Sequence, residues 1–150
     1  MTRAFSSVED VRAALGEAIG PSRPLVIDQV RIDAFAETTD DPQWIHTDPG
    51  RAATGPYGAT IAHGYLTLSL LPHFGRELFA FDFGSARVNY GVNKVRFPAP
   101  VPVGSALRAT VTFTDIDENP AGHVIGARYV VESGAVKPAC VAETLVLVVR

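Results

Sequence analysis

The chain of 150 residues has a single cysteine, Cys140. One cysteine cannot form an internal disulfide or contribute a cluster of thiolate ligands, so a reducing, cytoplasmic setting is expected. Positive charge is not in excess either. Thirteen Lys and Arg stand against 16 Asp and Glu, a net charge of −3, which leaves no basic footprint for nucleic acid. No segment approaches the roughly 20 apolar residues of a membrane span. The opening stretch, Met1 to Gly16, lacks the apolar run of a secretory signal. There is no internal repeat, low-complexity tract or linker. With 47% hydrophobic and 19% charged residues, the sequence reads as one domain over 1–150.

The first half carries helix grammar. Ser7 is a good N-cap with Asp10 three residues on, and Val8, Val11, Leu15, Ala18 and Ile19 share a face, so a helix is expected from Ser7 to Ile19 and is closed by Gly20-Pro21. A short strand at Leu25–Ile27 follows. Asp28 caps a second helix, Gln29 to Thr38, whose inner face is Ile32, Phe35, Ala36 and Thr39. Pro42 disfavours helical angles at Asp41 and ends it. Asp48-Pro49 restarts a short helix, and Gly55-Pro56 closes that one. Trp44 and Ile45, in the loop between, are expected to pack inward and pin His46. Ile61 to Leu71 is apolar nearly all round, the mark of a buried central helix, with Pro72 as its stop.

After Ser85 the pattern changes to strands. They are expected at Ala86–Phe97, Leu107–Ile116, Val124–Glu132 and Ala139–Val149, separated by Pro- and Gly-rich turns that include Asp117–Gly122. Leu107, Ala109, Val111 and Phe113 alternate with Arg108, Thr110, Thr112 and Thr114. The order fits an α+β fold in which a curved antiparallel sheet wraps one helix. The long edges of such a sheet favour pairing in a dimer.

Asp41 and His46 are the first chemical pair. A carboxylate and an imidazole can hold and activate one water between them. Alone, the spacing is a weak signal and reads better as a turn carboxylate and a satisfied polar ring. Gly64, at a helix start, offers an amide that an oxygen with developing negative charge could approach; it also suits close packing against a strand. His63 suits a hydrogen-bonded structural imidazole. Arg87, Lys94 and Arg96 could meet phosphates or be solvated strand charges. Asp48 is an N-cap. Ser69 lacks the strained turn of a nucleophile, and Cys140 reads as a small buried apolar residue.

Taken together, the residues are more specific. Asp41-Pro42-Gln43-Trp44-Ile45-His46, then Ala52, then Gly58-Ala59-Thr60-Ile61-Ala62-His63-Gly64-Tyr65-Leu66, resemble the signature of the MaoC-like dehydratases, the (R)-specific enoyl-CoA hydratases. Asn89 to Gly104 resembles the nodulation protein N-like branch. The likeness runs from about Leu25 to the C-terminus. It implies a hot-dog fold, a homodimer with active sites near its interface, and Asp41 and His46 as the catalytic pair. It implies further that the Gly64 amide, with Ile61, Ala62 and His63 around it, binds the thioester oxygen of a trans-2-enoyl-CoA. Gln43, Arg87, Lys94 and Arg96 become candidates for support or coenzyme A contact. No metal and no separate cofactor are implied, coenzyme A being part of the substrate. Two positions depart from the family pattern. Asp40 stands where a glycine usually precedes the catalytic carboxylate, and Gln43-Trp44 replaces the commoner Asn-Pro. A thioesterase on the same fold and a non-catalytic acyl-thioester binding subunit are the rival readings.

Overall fold

The structure, a computed structural model, describes all 150 residues. Four long strands build the main sheet: β5 (Ala86–Arg96), β6 (Ala106–Asn119), β7 (Gly122–Glu132) and β8 (Cys140–Val149). Their order is β6-β7-β8-β5, every pair antiparallel. The expected alternation on β6 places Leu107, Ala109, Val111 and Phe113 in the core, with Arg108 and Thr114 exposed. Bulges at Phe113/Asp115 and within Asn89–Lys94 bend the strands. The sheet curls around helices α5 (Gly64–Ser69) and α6 (Leu71–Leu78), whose Leu66, Leu71, Phe74 and Leu78 fill its concave side. Cys140 lies buried at the head of β8, and burial pushes its thiol pKa up to about 11.

The remaining elements seal the ends of this layer. They are β1 (Arg3–Phe5), α1 (Val8–Ala13), β2 (Ala18–Ile19), β3 (Leu25–Val26), α2 (Gln29–Thr39), α3 (Trp44–Thr47), α4 (Pro49–Ala52) and β4 (Phe79–Phe81). Strand β1 pairs in parallel with β4, while β2 and β3 both add to β6. Phe5, Phe79, Phe81 and Phe113 meet in a cluster of tilted and edge-on rings.

Several sequence expectations are corrected. The first helix keeps its Ser7 cap but stops at Ala13 rather than Ile19. Gly16 turns the chain at φ 82°, donates to the Phe113 carbonyl, and sends Ala18–Ile19 into the sheet. The central helix is two helices, not one. Ile61 lies in a bridge to Pro102, and the helix opens only at Gly64. Pro72 does not stop it: it sits in the first turn of α6, where a missing N–H costs nothing. Tyr65, within the stretch expected to be buried, is 70% exposed. The expected turn at Asp117–Gly122 is mostly strand, since β6 runs to Asn119 and only Pro120-Ala121 turn. Strand β5 departs most from a half-buried pattern, because almost every residue of it is exposed on both faces, Val88, Tyr90 and Val92 included.

Helix α2 ends in a way that bears on the site. The Asp41 N–H donates to the Ala36 carbonyl and the Asp40 N–H to Glu37, with Asp40 left-handed at φ 54°. This is a Schellman closure, whose left-handed position glycine fills most easily. The glycine usual at this place in the family pattern therefore has a backbone reason, and Asp40 occupies it as one of the few side chains that tolerate it. Asp40→Gly is expected to raise stability by up to ~1 kcal/mol. A rise in denaturant midpoint with unchanged slope would show it, and a fall would mean that the Asp40 side chain contributes more than its backbone angle costs.

Candidate active site

The site forms where the end of α2, helix α3 and the strap from Thr60 to Gly64 meet. Asp41 leaves the Schellman turn with its backbone held at both ends. Its N–H donates to Ala36, and its carbonyl accepts from His63 Nε2 at 2.9 Å. The side chain itself is half exposed. Its Oδ2 lies 3.8 Å from His63 Nε2. The stretch expected as a loop is the one-turn helix α3, with Asp48 capping α4 behind it by accepting the Arg51 N–H at 2.9 Å. Trp44 and Ile45 are only half buried. Trp44 packs against Gly55 and under the Arg51 guanidinium. His46 is the residue driven inward, 7% exposed.

The His46 ring is held in one tautomer. Nδ1 lies 2.6 Å from the Ile61 carbonyl, which can only accept, so Nδ1 carries the hydrogen and Nε2 is the bare nitrogen. Burial lowers the His46 pKa below its ordinary value; the bond to Ile61 and the Asp41 carboxylate oppose that shift, and His63 adds to it. The neutral ring is thus the resting form near pH 7. His63 stacks on it, with centroids 3.7 Å apart and planes 22° apart. His63 is 3% exposed, and its Nε2–H points at Asp41. Its Nδ1 is buried without a partner, so it is not the fully satisfied structural imidazole expected from its position.

Asp41, His46 and His63 bring one potential ligand atom each within 4.8 Å of one another. The stacking nevertheless works against a shared metal. Nearly parallel rings direct their lone pairs side by side, whereas a metal ~2.0 Å from each nitrogen must lie in both ring planes. His63 Nε2 is also committed as a donor to a carbonyl. The arrangement suits a small hydrogen-bonding molecule better than an ion.

The remaining candidates divide. Gly64 opens α5, so its amide has no intrahelical acceptor. The Phe97 ring packs over it so closely that an added Cβ would stand 2.7 Å from the ring. Close packing against Phe97 therefore requires glycine here. Of the residues grouped with it, Ala62 donates its N–H to Val101 at 2.8 Å and Ile61 donates its N–H to Ile45 at 3.0 Å, so neither of these amides is free for a ligand. The contribution of Ile61 is its carbonyl. Gln43 is exposed at the start of α3 and makes no side-chain cap; its carbonyl, not its amide, holds the turn by accepting from His46 N and from Thr47. Arg96 lies next to Phe97, and Lys94 three residues before Phe97, both exposed on β5. Arg87 is ten residues before Phe97, roughly 30 Å away along an extended strand. A single chain does not bring it to this site. Gln29 was not picked out in the sequence, and Thr60 and Phe97 were read only as members of the quoted motifs, without a role. Their contacts join segments far apart in the chain, and no local spacing marks them.

Comparisons with known proteins give the family and the fold. The family model described as MaoC like domain matches residues 10–135. The chain is 48% identical over 147 residues to 3-hydroxyacyl-thioester dehydratase Z of Mycobacterium tuberculosis, covering 96% of this chain and 97% of that protein. It is 40% identical over 111 residues to Nodulation protein N of Rhizobium meliloti, covering 73% and 69%. Among solved structures, the (R)-hydratase from A. caviae involved in PHA biosynthesis is similar with a TM-score of 0.68 and 26% identity, over 88% of this chain and 96% of that one. An Archaeoglobus monoamine oxidase regulatory protein shares the fold, with a TM-score of 0.79 at 23% identity, over 100% and 98%. With its helical layer inside a curved antiparallel sheet, the chain has the hot-dog fold and belongs to the MaoC-like family.

Proposed function

We propose that the protein is an (R)-specific enoyl-CoA hydratase, adding water across trans-2-enoyl-CoA to give (R)-3-hydroxyacyl-CoA and running the reverse dehydration at the same site. The observation that carries this reading is a neutral, tautomer-fixed His46 with a carboxylate oxygen of Asp41 no more than 4.8 Å from its ligand nitrogen. The names of the similar dehydratase and (R)-hydratase point the same way.

The geometry fits the chemistry in steps. Conjugation makes C3 of an enoyl thioester electrophilic once negative charge on the thioester oxygen is stabilised, and the Gly64 amide, without an intrahelical acceptor, would be the donor to that oxygen. Water held between Asp41 and His46 gives its oxygen to C3. The bare Nε2 takes the water proton, and the neighbouring carboxylate stabilises the imidazolium. One proton then passes from the pair to C2, so that water is added with no net change in the protein. Nothing in this sequence calls for a separate cofactor.

The assembly proposed is a homodimer. Strand β5 leaves one edge unpaired and both faces exposed, with Val88, Tyr90 and Val92 in the open, a surface that a second copy would cover. No helix is long and apolar enough to cross a membrane. The single buried thiol agrees with a cytoplasmic setting.

Asp41→Asn and His46→Gln are each expected to lower hydration of crotonyl-CoA by at least ~100-fold, followed as loss of enoyl absorbance, with the fold intact. Activity surviving both would remove these residues from the mechanism. Free thiol released while the enoyl absorbance persists would instead identify a thioesterase.

A pH dependence follows from His46. Its folded pKa lies below its ordinary 6.5, so kcat should hold as pH falls past 6.5 and drop only lower. Stability has the same sign. The unfolded ring takes a proton near pH 6.5 while the folded ring resists it, so stability is lost as pH falls from 6.5 toward the folded value. His46→Gln should flatten that part of a melting-temperature profile. An unchanged slope would show that His46 does not titrate there.

Gly64→Ala must push the Phe97 ring aside. The expected result is a fall in kcat/KM larger than the loss of stability would account for, and full activity would show that the Cβ and the displaced Phe97 ring do not block the substrate's approach to the amide of residue 64.

A further inference from the structure

The side chain of Gln29 joins three segments that are separate in the chain. Its Nε2 donates to the His46 carbonyl at 2.7 Å and to Asp33 Oδ1 at 2.8 Å. Its Oε1 accepts from the Thr60 hydroxyl at 2.5 Å. The amide orientation is not arbitrary. A carbonyl and a carboxylate can only accept, so the nitrogen must face His46 and Asp33, and the oxygen is left for the hydroxyl. Both N–H groups are thereby used. Thr60 is 1% exposed, and its own carbonyl accepts from Val103 at 2.9 Å, which ties it to the turn beyond Val101.

The two ends of this bridge are what make it informative. One is the backbone of His46. The other is the residue before Ile61, whose carbonyl fixes the His46 ring. Ile61 N–H also donates to the Ile45 carbonyl at 3.0 Å. The pairs 45–46 and 60–61 are thus laced together by a backbone bond, a ring-to-backbone bond and the Gln29 amide. Without the amide, the buried Thr60 hydroxyl loses its acceptor, the His46 carbonyl loses a donor, and the two segments are free to slide. Sliding lengthens the Nδ1–Ile61 bond and lets the ring turn, and misplacing a reacting nitrogen by ~1 Å is enough to cost ~100-fold in rate.

We propose that Gln29 and Thr60 form a clamp that positions the His46 imidazole, with Gln29 setting where Nε2 points without itself touching substrate. The assignment of a kinetic effect rests on the hydratase reading above. The clamp takes the positioning part that the sequence had offered to Gln43, and it does so from the first turn of α2 rather than from the loop beside the histidine.

The test uses Gln29→Met, Thr60→Val, their double variant, and Thr60→Ser as the conservative change. Two readouts are taken on the full chain: kcat and KM with crotonyl-CoA, and the His46 Nδ1–H resonance, identified as the ring N–H signal missing from His46→Gln. Gln29→Met and Thr60→Val should each lower kcat about tenfold or more with KM within about twofold. The double variant should be no worse than about twofold below the poorer single one, because one clamp can be lost only once. Thr60→Ser should stay within about twofold of the parent. The Nδ1–H signal should be sharp in the parent and Thr60→Ser, and exchange-broadened in the other three. Unchanged kcat, multiplying losses, or a sharp signal in Gln29→Met would each overturn the clamp. Should Gln29→Met fail to fold, the Thr60→Val and Thr60→Ser contrast decides by itself. If the parent does not hydrate crotonyl-CoA, the hydratase reading fails, and the resonance still decides whether Gln29 and Thr60 hold the ring.

Discussion

The hydrogen bond from the His46 ring to the Ile61 carbonyl sets the chemical state of the site. Carbonyls only accept, so this contact decides which ring nitrogen is bare, and burial keeps that nitrogen unprotonated near neutral pH. Much of the surrounding architecture serves to keep the carbonyl still. Ile61 bridges to Pro102, Ala62 donates to Val101, and Val103 donates to Thr60, so the strap before α5 is stitched to the chain between β5 and β6 on both sides of Ile61.

Asp41 is constrained differently. Its backbone is fixed by a Schellman turn on one side and by His63 on the other, while its carboxyl stays half exposed. A rigid backbone with a freer side chain suits the proton-exchanging part proposed for Asp41. His63 links the two halves of the site, touching the backbone of Asp41 and stacking on the ring of His46. Its neighbour Gly64 then presents a free amide at the opening of the helix that fills the sheet.

Features that depend on a few adjacent residues were legible in the sequence. Ser7, Asp28 and Asp48 all cap as expected, because each accepts from an N–H three residues on. The alternation of β6 was equally plain. Periodicity misled where a single residue reverses the chain. Leu15, Ala18 and Ile19 keep helical spacing past Gly16, but that glycine has already turned the backbone into a strand. Pro72 reads alike as a stop and as a start, and packing of α6 into the sheet chose the start. Asp41 and His46 stand close enough in sequence to be suspected as a pair. Two of the three contacts of Gln29 lie 17 and 31 residues away, and no local pattern reports them. The exposure of β5 was hidden for another reason: its Val and Tyr spacing is the same whether a helix or a second chain covers it.

Cys140 gives the molecule a built-in indicator of its own integrity. The sole sulfhydryl sits fully enclosed where β8 meets β7, opposite Val131, and its high pKa leaves almost none of it as thiolate near neutrality. Thiol-selective reagents can therefore modify Cys140 only while this end of the β7–β8 pair is open. The speed of that modification reports how often the innermost strands part, with no probe needing to be introduced.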